Sequence, residues 1–285
     1  MKLKTFKTLT ILTLSIAVTS CNIDQNEQIG DQDIKRVSEN DEMTLGYKFK
    51  NRSPSSDCNF EYEGFQGPEF WGDLCNGDWV DCNGNSQSPI DIVTGVVHEN
   101  DNLNNINMNY TTSATEIFNN GHTIQFDYEA GSSASLNNID YNLLQFHFHT
   151  GSEHTIDGKR YPMEMHLVHQ DPVTKLLAVI GVFFKEGKEN EVLAQFMNNL
   201  PQQKGDYYKN TEEYHIVDIL PNEMEFYTYN GSLTTPACSE IVTWYVLKKP
   251  VQASHNQLKR FKEIMHENYR PTQPLNGRIV SKADD

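Results

Sequence analysis

Apolar and polar positions alternate with a period of two through much of this chain, the mark of strands that bury one face and present the other. The clearest case is "LLQFHFHTGSEH" (143–154), where Gln145, His147 and His149 share one face while Leu144, Phe146 and Phe148 share the other. "MEMHLVHQ" (163–170) repeats the pattern with Glu164, His166 and Val168 on one face. "KLLAVIGVFF" (175–184) is an unbroken apolar run, as expected of a strand covered on both sides, and "EIVTWYVLKKP" (240–250) is rich in β-branched and aromatic residues. In "TEIFNNGHTIQFDY" (115–128) the pair Asn120-Gly121 stands between two strand-like segments and signals a hairpin. Helical spacing is confined to "ENEVLAQFMNNL" (189–200) and "SHNQLKRFKEIMHEN" (254–268). The pattern predicts a mainly β (α+β) protein: one domain around a large, mostly antiparallel, twisted central sheet with a few short surface helices.

The first 57 residues do not share this pattern. "MKLKTFKTLTILTLSIAVTSC" sets three lysines before an apolar stretch too short to span a bilayer, the layout of a secretory signal. Its end, "VTSC", is similar to a bacterial lipobox, which predicts a signal peptide over residues 1–20 and Cys21 as an acylated first mature residue. An uncleaved N-terminal anchor is the alternative. Asn22, not Asp, follows the cysteine, and in a Gram-negative host that permits sorting to the outer membrane. Residues 21–57 are polar, mixed in charge and poor in core-forming residues, so they read as a lipid-anchored flexible tether ahead of a folded domain over 58–285. An exported lipoprotein, periplasmic or at the cell surface, is the expectation. Losing residues 1–20 removes three lysines and no acids, moving the net charge from −16 to −19. Such a surface repels phosphate backbones and argues against nucleic-acid binding.

Four cysteines remain beyond Cys21: Cys58, Cys75, Cys82 and Cys238. An even set in an exported protein favours disulfides, and four cysteines allow three pairings that spacing alone does not separate. Thiolate ligation of zinc is the rival reading, but the chain has no CxxC pair.

The histidines carry the chemistry. Sixteen residues separate His149 from His166, with the turn signal Asp157-Gly158 between them, so two adjacent antiparallel strands can bring His147, His149 and His166 together. Three neutral imidazoles around Zn2+ leave a fourth tetrahedral position for water, which a catalytic zinc site needs and a structural one lacks. Gln145 and Glu164, each two residues from a histidine on its own face, can accept the second ring N–H of His147 and His166 and fix tautomer and aim. A cupin is the rival within metal chemistry, because His147-x-His149-x-x-x-Glu153 has the spacing of its first motif and would make Glu153 a ligand. The glycines that motif requires are Tyr141 and Arg160 in this chain.

From Tyr62 to Arg278 the sequence resembles an alpha-class carbonic anhydrase. The pieces that carry the likeness come in family order: "YEGFQGPEFWG", "QSPIDI", "NNGH", "QFHFH", "GSEH", "EMHLVH", "AVIGVFF", "YNGSLTTPACSE", "VTWYVL" and "RPTQPLNGR". The resemblance implies a zinc lyase that hydrates carbon dioxide reversibly to bicarbonate and a proton, by attack of zinc-bound hydroxide on CO2 held in an apolar pocket. It implies ligation by His147, His149 and His166, with Gln145, Glu164 and the backbone carbonyl of Asn268 accepting from those rings. Thr234 would donate to Glu153 and so orient the hydroxide. Val168, Val179, Leu233 and Trp244 would line the CO2 pocket, with Thr235 on its polar side. His122 matches the proton-shuttle position, where an imidazole titrating near neutrality serves well. Tyr62, Asn120 and Gln125 match positions that order the intervening waters. The resemblance further implies a bridge between Cys82 and Cys238 and, with those two paired, a second between Cys58 and Cys75. Sulfonamide- and anion-type inhibitors are expected partners besides CO2 and bicarbonate, and oligomeric state is not legible.

Thr150 stands where many relatives carry tryptophan, Ala237 replaces the second proline of the usual "TTPPC", and Gln125 replaces an asparagine. These departures bear on pocket shape and inhibitor preference. The competing function is a surface binding protein that keeps the fold without its chemistry. Such proteins usually lose a zinc histidine, whereas all three are present here.

Overall fold

In Leu177–Glu186, Ala178, Ile180, Val182 and Phe184 are buried in one apolar cluster, while Leu177, Val179 and Phe183 are buried in a second. A strand whose odd and even residues both find apolar cover lies at the centre of a sheet covered on two faces. The structure, a computed structural model, describes residues 58–283. The expected signal peptide, Cys21 and the tether lie outside the described residues.

The elements that position the site are β1 (Ser113–Asn119), β2 (Ile124–Asp127), β3 (Ile139–Thr150), β4 (Met163–Gln170), β5 (Leu177–Glu186), α1 (Glu191–Phe196), β6 (Tyr207–Tyr214), β7 (Phe226–Gly231), β8 (Val242–Leu247) and α2 (His255–Met265). The main sheet runs β6-β1-β2-β3-β4-β5-β8-β7 and continues through Ser281–Lys282 to His98–Glu99. Neighbours from β6 to β5 are antiparallel, as are β8 and β7, but β5 and β8 are parallel. The sheet is therefore mostly antiparallel, as the alternation predicts, with a parallel junction in its middle. The chain leaves β5, builds α1, β6 and β7, and only then returns alongside it; a parallel neighbour requires such a long crossover.

The Asn120-Gly121 hairpin forms between β1 and β2, with Gly121 at φ +95, which an L residue adopts only under strain. Asn120 Oδ1 accepts the backbone N–H groups of both His122 and Thr123 at 2.8 Å, a side-chain turn that fixes the loop. Both helices fall inside the predicted spans. In α2 the predicted start carries a reciprocal cap between Ser254 and Gln257, and Phe261 packs on Phe148 of β3 with ring centroids 4.7 Å apart.

One expectation is corrected. Leu144 does not share the apolar face of Phe146 and Phe148; Leu143 does, buried in the same cluster. The β3–β4 register shifts between Val168 and His169, so that Val168 faces Gln145 while His169 faces Leu143. The extra residue in β3 is a bulge at Leu144, and it moves the preceding part of the strand by one position.

Candidate active site

β3 and β4 bring the three predicted histidines to one place. His166 is the direct cross-strand partner of His147, and His149 sits two residues along β3, beside Glu164 of β4. One ring nitrogen from each of His147, His149 and His166 falls in a group whose atoms all lie within 4.8 Å of one another, and Glu153 is not part of that group. The Glu153 carboxylate lies beside the group, with its Oε2 3.6 Å from His149 Nε2 and 4.0 Å from His166 Nδ1.

Each ring's other nitrogen is already committed. His147 Nδ1–H donates to Gln145 Oε1 at 2.9 Å, His149 Nδ1–H to the Asn268 carbonyl at 2.6 Å, and His166 Nε2–H to Glu164 Oε1 at 3.0 Å. A carbonyl and a carboxylate only accept, so these partners hold the protons away from the centre of the cluster. Burial holds His147 and His149 below the ordinary imidazole range. For His147 the neighbouring His149 and His166 add to the effect, and for His149 the Glu153 charge opposes it. His149 Nε2 is buried without a hydrogen-bond partner, 3.6 Å from Glu153 Oε2, which also lacks one. A buried imidazole lone pair left bare among two others is what a cation site requires, and the donor set fits zinc.

Glu164 is fully buried and serves two histidines, since His154 Nδ1–H donates to it at 2.8 Å and the His154 backbone N–H at 2.9 Å. Burial alone would push its pKa up; His154 and His166, by charge and by hydrogen bonds, hold it well below the usual carboxylate range. Gly181 of β5 makes room for it. Gly181 is the cross-strand partner of His166, and a Cβ there would meet Glu164 Oε1 at 2.9 Å.

The remaining predicted residues sort as follows. Val168, Val179 and Trp244 are consecutive register partners across β4, β5 and β8, and with half-buried Leu233 they form a continuous apolar wall. Trp244 stands edge-on to His166 with ring centroids 4.8 Å apart. Thr234 is buried and Thr235 half-buried in the loop that the Cys82–Cys238 bridge ties to the N-terminal segment. Cys58 is bridged to Cys75. Glu153 Oε1 accepts from the Arg270 backbone N–H at 2.8 Å, but the hydrogen bond from Thr234 is not made in this structure. Gln125 is the register partner of His147 and donates to Asp127 at 2.7 Å. Tyr62 and Asn120 are half-buried.

His122 departs from expectation. Its ring stacks on Phe60 with centroids 3.9 Å apart and planes 12° from parallel, and burial together with the Lys204 charge pushes its pKa down to about 4. That is a shift away from the near-neutral range that the resemblance implies for this position. No pattern in the sequence marks Phe60 as a neighbour of His122, or Arg270 as a support of the site. His154, in the "GSEH" piece of the resemblance, is fully buried between Glu164 and the Tyr229 hydroxyl, which lies 2.7 Å from its Nε2. The buried Arg270 guanidinium donates to Gln87 Oε1 and to the carbonyls of Ser88 and Cys82. Asn268 uses its side chain as well as its carbonyl, donating to the His122 and Phe148 carbonyls at 2.8 and 3.1 Å.

Fold and donor set define a class: proteins able to hold a divalent cation on three imidazoles against a central sheet, beside an apolar wall. The family described as eukaryotic-type carbonic anhydrase matches residues 66–284. A carbonic anhydrase of a Nostoc species is 41% identical over 230 residues, covering 79% of this chain and 86% of its own. One from Pectobacterium atrosepticum is 38% identical over 230 residues, covering 80% and 92%. Among solved structures, the alpha-carbonic anhydrase of Thermovibrio ammonificans in complex with sulfanilamide superposes with a TM-score of 0.76 at 41% identity, covering 79% of this chain and 99% of that one. The chain belongs to the alpha carbonic anhydrase family, enzymes of carbon dioxide hydration that are in general zinc-dependent.

Proposed function

We propose that this chain hydrates carbon dioxide reversibly to bicarbonate and a proton with a zinc ion held by His147, His149 and His166. One observation carries the reading: three ring nitrogens converge within 4.8 Å while every ring's second nitrogen already donates elsewhere. Zinc bound there supplies a Lewis acid that makes hydroxide available at neutral pH, behaviour for which carbonic anhydrase itself is the standing example.

The chain's own residues supply the rest. Val168, Val179, Leu233 and Trp244 give CO2 a place where water finds no hydrogen-bond partner, so an apolar substrate competes there. Glu153 Oε2 is an acceptor in want of a donor, and Thr234 is the hydroxyl proposed to meet it. A threonine that donates to Glu153 can only accept from the reacting group, which selects species with a proton to give. His122 passes the released proton towards buffer, with Tyr62, Asn120, Gln125 and Thr235 along the polar side. The sulfanilamide complex of the Thermovibrio relative supports sulfonamides as inhibitors of this chain, and small anions are proposed beside them from the family resemblance alone. Export and anchoring through Cys21, to the periplasmic or outer surface, belong to the same proposal and rest on residues 1–21 of the sequence.

Zinc content measured together with stopped-flow CO2 hydration tests the reading. Wild type is expected to hold zinc and hydrate CO2 rapidly, and His166→Ala to lose both. Folded wild-type protein with zinc bound and no hydration would refute it and favour a binding role.

A further inference from the structure

The strap that follows α2 alternates as an extended chain does: Asn268 and Arg270 are buried, and Tyr269 between them is half-buried. The two buried residues support the site directly. Asn268 gives its carbonyl to the His149 ring and its Oδ1 to the Thr150 N–H at 2.7 Å, while the Arg270 N–H holds Glu153 Oε1 at 2.8 Å. Tyr269 packs instead on the loop that carries Glu153. Its ring lies so close to Gly151 that a Cβ there would meet the ring Cδ1 and Cε1 at 2.6 Å, and Gly151 stands at φ +76, where a side chain would be strained in any case. Over the same ring sits the Arg160 guanidinium, 3.9 Å from its centre. Arg160 Nη1 donates to the carbonyl of Ser152 and, at 3.3 Å, to that of Glu153. Glu153 is thus gripped twice, at its carboxylate by the Arg270 N–H and at its backbone by Arg160, and both grips are anchored in consecutive residues of one strap.

We propose that Arg160, stacked on Tyr269, is a positioning residue for Glu153: it fixes the Ser152–Glu153 backbone from the solvent side and so aims the buried carboxylate at the Thr234 hydroxyl. The proposal rests on the reading of Glu153 as the acceptor for Thr234. Glu153 Oε2 is buried and has no donor, so aim decides whether Thr234 reaches it. With Oε1 fixed, the carboxylate pivots about its backbone, and the backbone is what Arg160 holds. A hydrogen bond weakens steeply as its angle opens, and a small misplacement of an orienting group is felt strongly in the rate. The two demands made of residue 160 suit arginine: a planar cation lies flat on a ring while its N–H groups, in the same plane, reach carbonyls.

The test uses Arg160→Met, which keeps an apolar stem and removes the donors at an exposed position. In zinc-free protein, hydrogen exchange of the Arg270 amide, read by NMR, should speed up about tenfold or more, because that amide is the one Glu153 Oε1 holds. In zinc-loaded protein the zinc content should stay at the wild-type level and kcat/KM for CO2 hydration should fall about tenfold. In a Glu153→Ala background, Arg160→Met should change kcat/KM by less than about twofold, since the group it aims is gone. Unchanged Arg270 exchange, unchanged kcat/KM, or a loss of kcat/KM that is equal with and without Glu153 overturns the proposal. Wild-type kcat/KM in Glu153→Ala alone refutes the reading of Glu153 instead, and the aiming role falls with it.

Discussion

Each imidazole of the triad is aimed by a single acceptor, so the effect of removing one acceptor is open to measurement. Glu164→Gln keeps the size and one acceptor oxygen but loses the charge that His154 and His166 share. Zinc affinity is expected to fall about 10- to 100-fold, read by competition with a chelator, because outer partners of metal-binding histidines commonly act at that level. For His122→Ala, turnover in weak buffer should drop and recover with added imidazole, while kcat/KM for CO2 holds; equal loss of both removes the proton-carrier role. Gln145, His147 and His149 were legible because alternation alone sets them on one face. Glu164 was legible because it repeats that arrangement on the next strand. The carbonyl of Asn268 came only from resemblance, since nothing local marks a residue 119 positions from His149 as its partner. Phe60 on His122 had no signal at all: a stack between distant loops has no period and no spacing.

The same division holds for strands and helices. Continuous apolar character made β5 legible as a central strand, and the Asn120-Gly121 pair marked the hairpin between β1 and β2. The bulge at Leu144 was not legible, because an extra residue in one strand is defined only by the partner it fails to pair with. Gly181 shows what a strand position can contribute without a side chain. Glu164, held from two sides by histidines, has little freedom to yield to a new methyl group at 2.9 Å. Gly181→Ala should therefore destabilise the zinc-free protein by about 1–3 kcal/mol, read from its urea midpoint, as overpacking of a tight interior usually does. An unchanged midpoint would mean that the carboxylate has room to move.

Across the whole molecule, the Cys82–Cys238 bridge closes a loop spanning 156 positions and ties the segment that Arg270 grips to the Thr234 loop. Replacing both cysteines with serine should lower stability by about 2–5 kcal/mol in denaturant unfolding. The pairing became legible through resemblance, as four cysteines leave three pairings open. Acid stability has a named contributor in His169, which is fully buried and whose pKa burial pushes down to about 4. Below about pH 6.5 the unfolded chain takes up a proton that the folded chain refuses until about 4, so stability rises with pH in this window. The contribution is complete above 6.5, is lost as pH falls towards 4, and amounts to no more than about 3 kcal/mol. His169→Asn should flatten that part of the stability-pH profile. X-ray absorption at the zinc edge of the purified protein tests the central claim most directly. Three imidazole nitrogens at about 2.0–2.1 Å and one non-protein oxygen are predicted; a fourth protein ligand, or fewer than three imidazoles, would contradict the account.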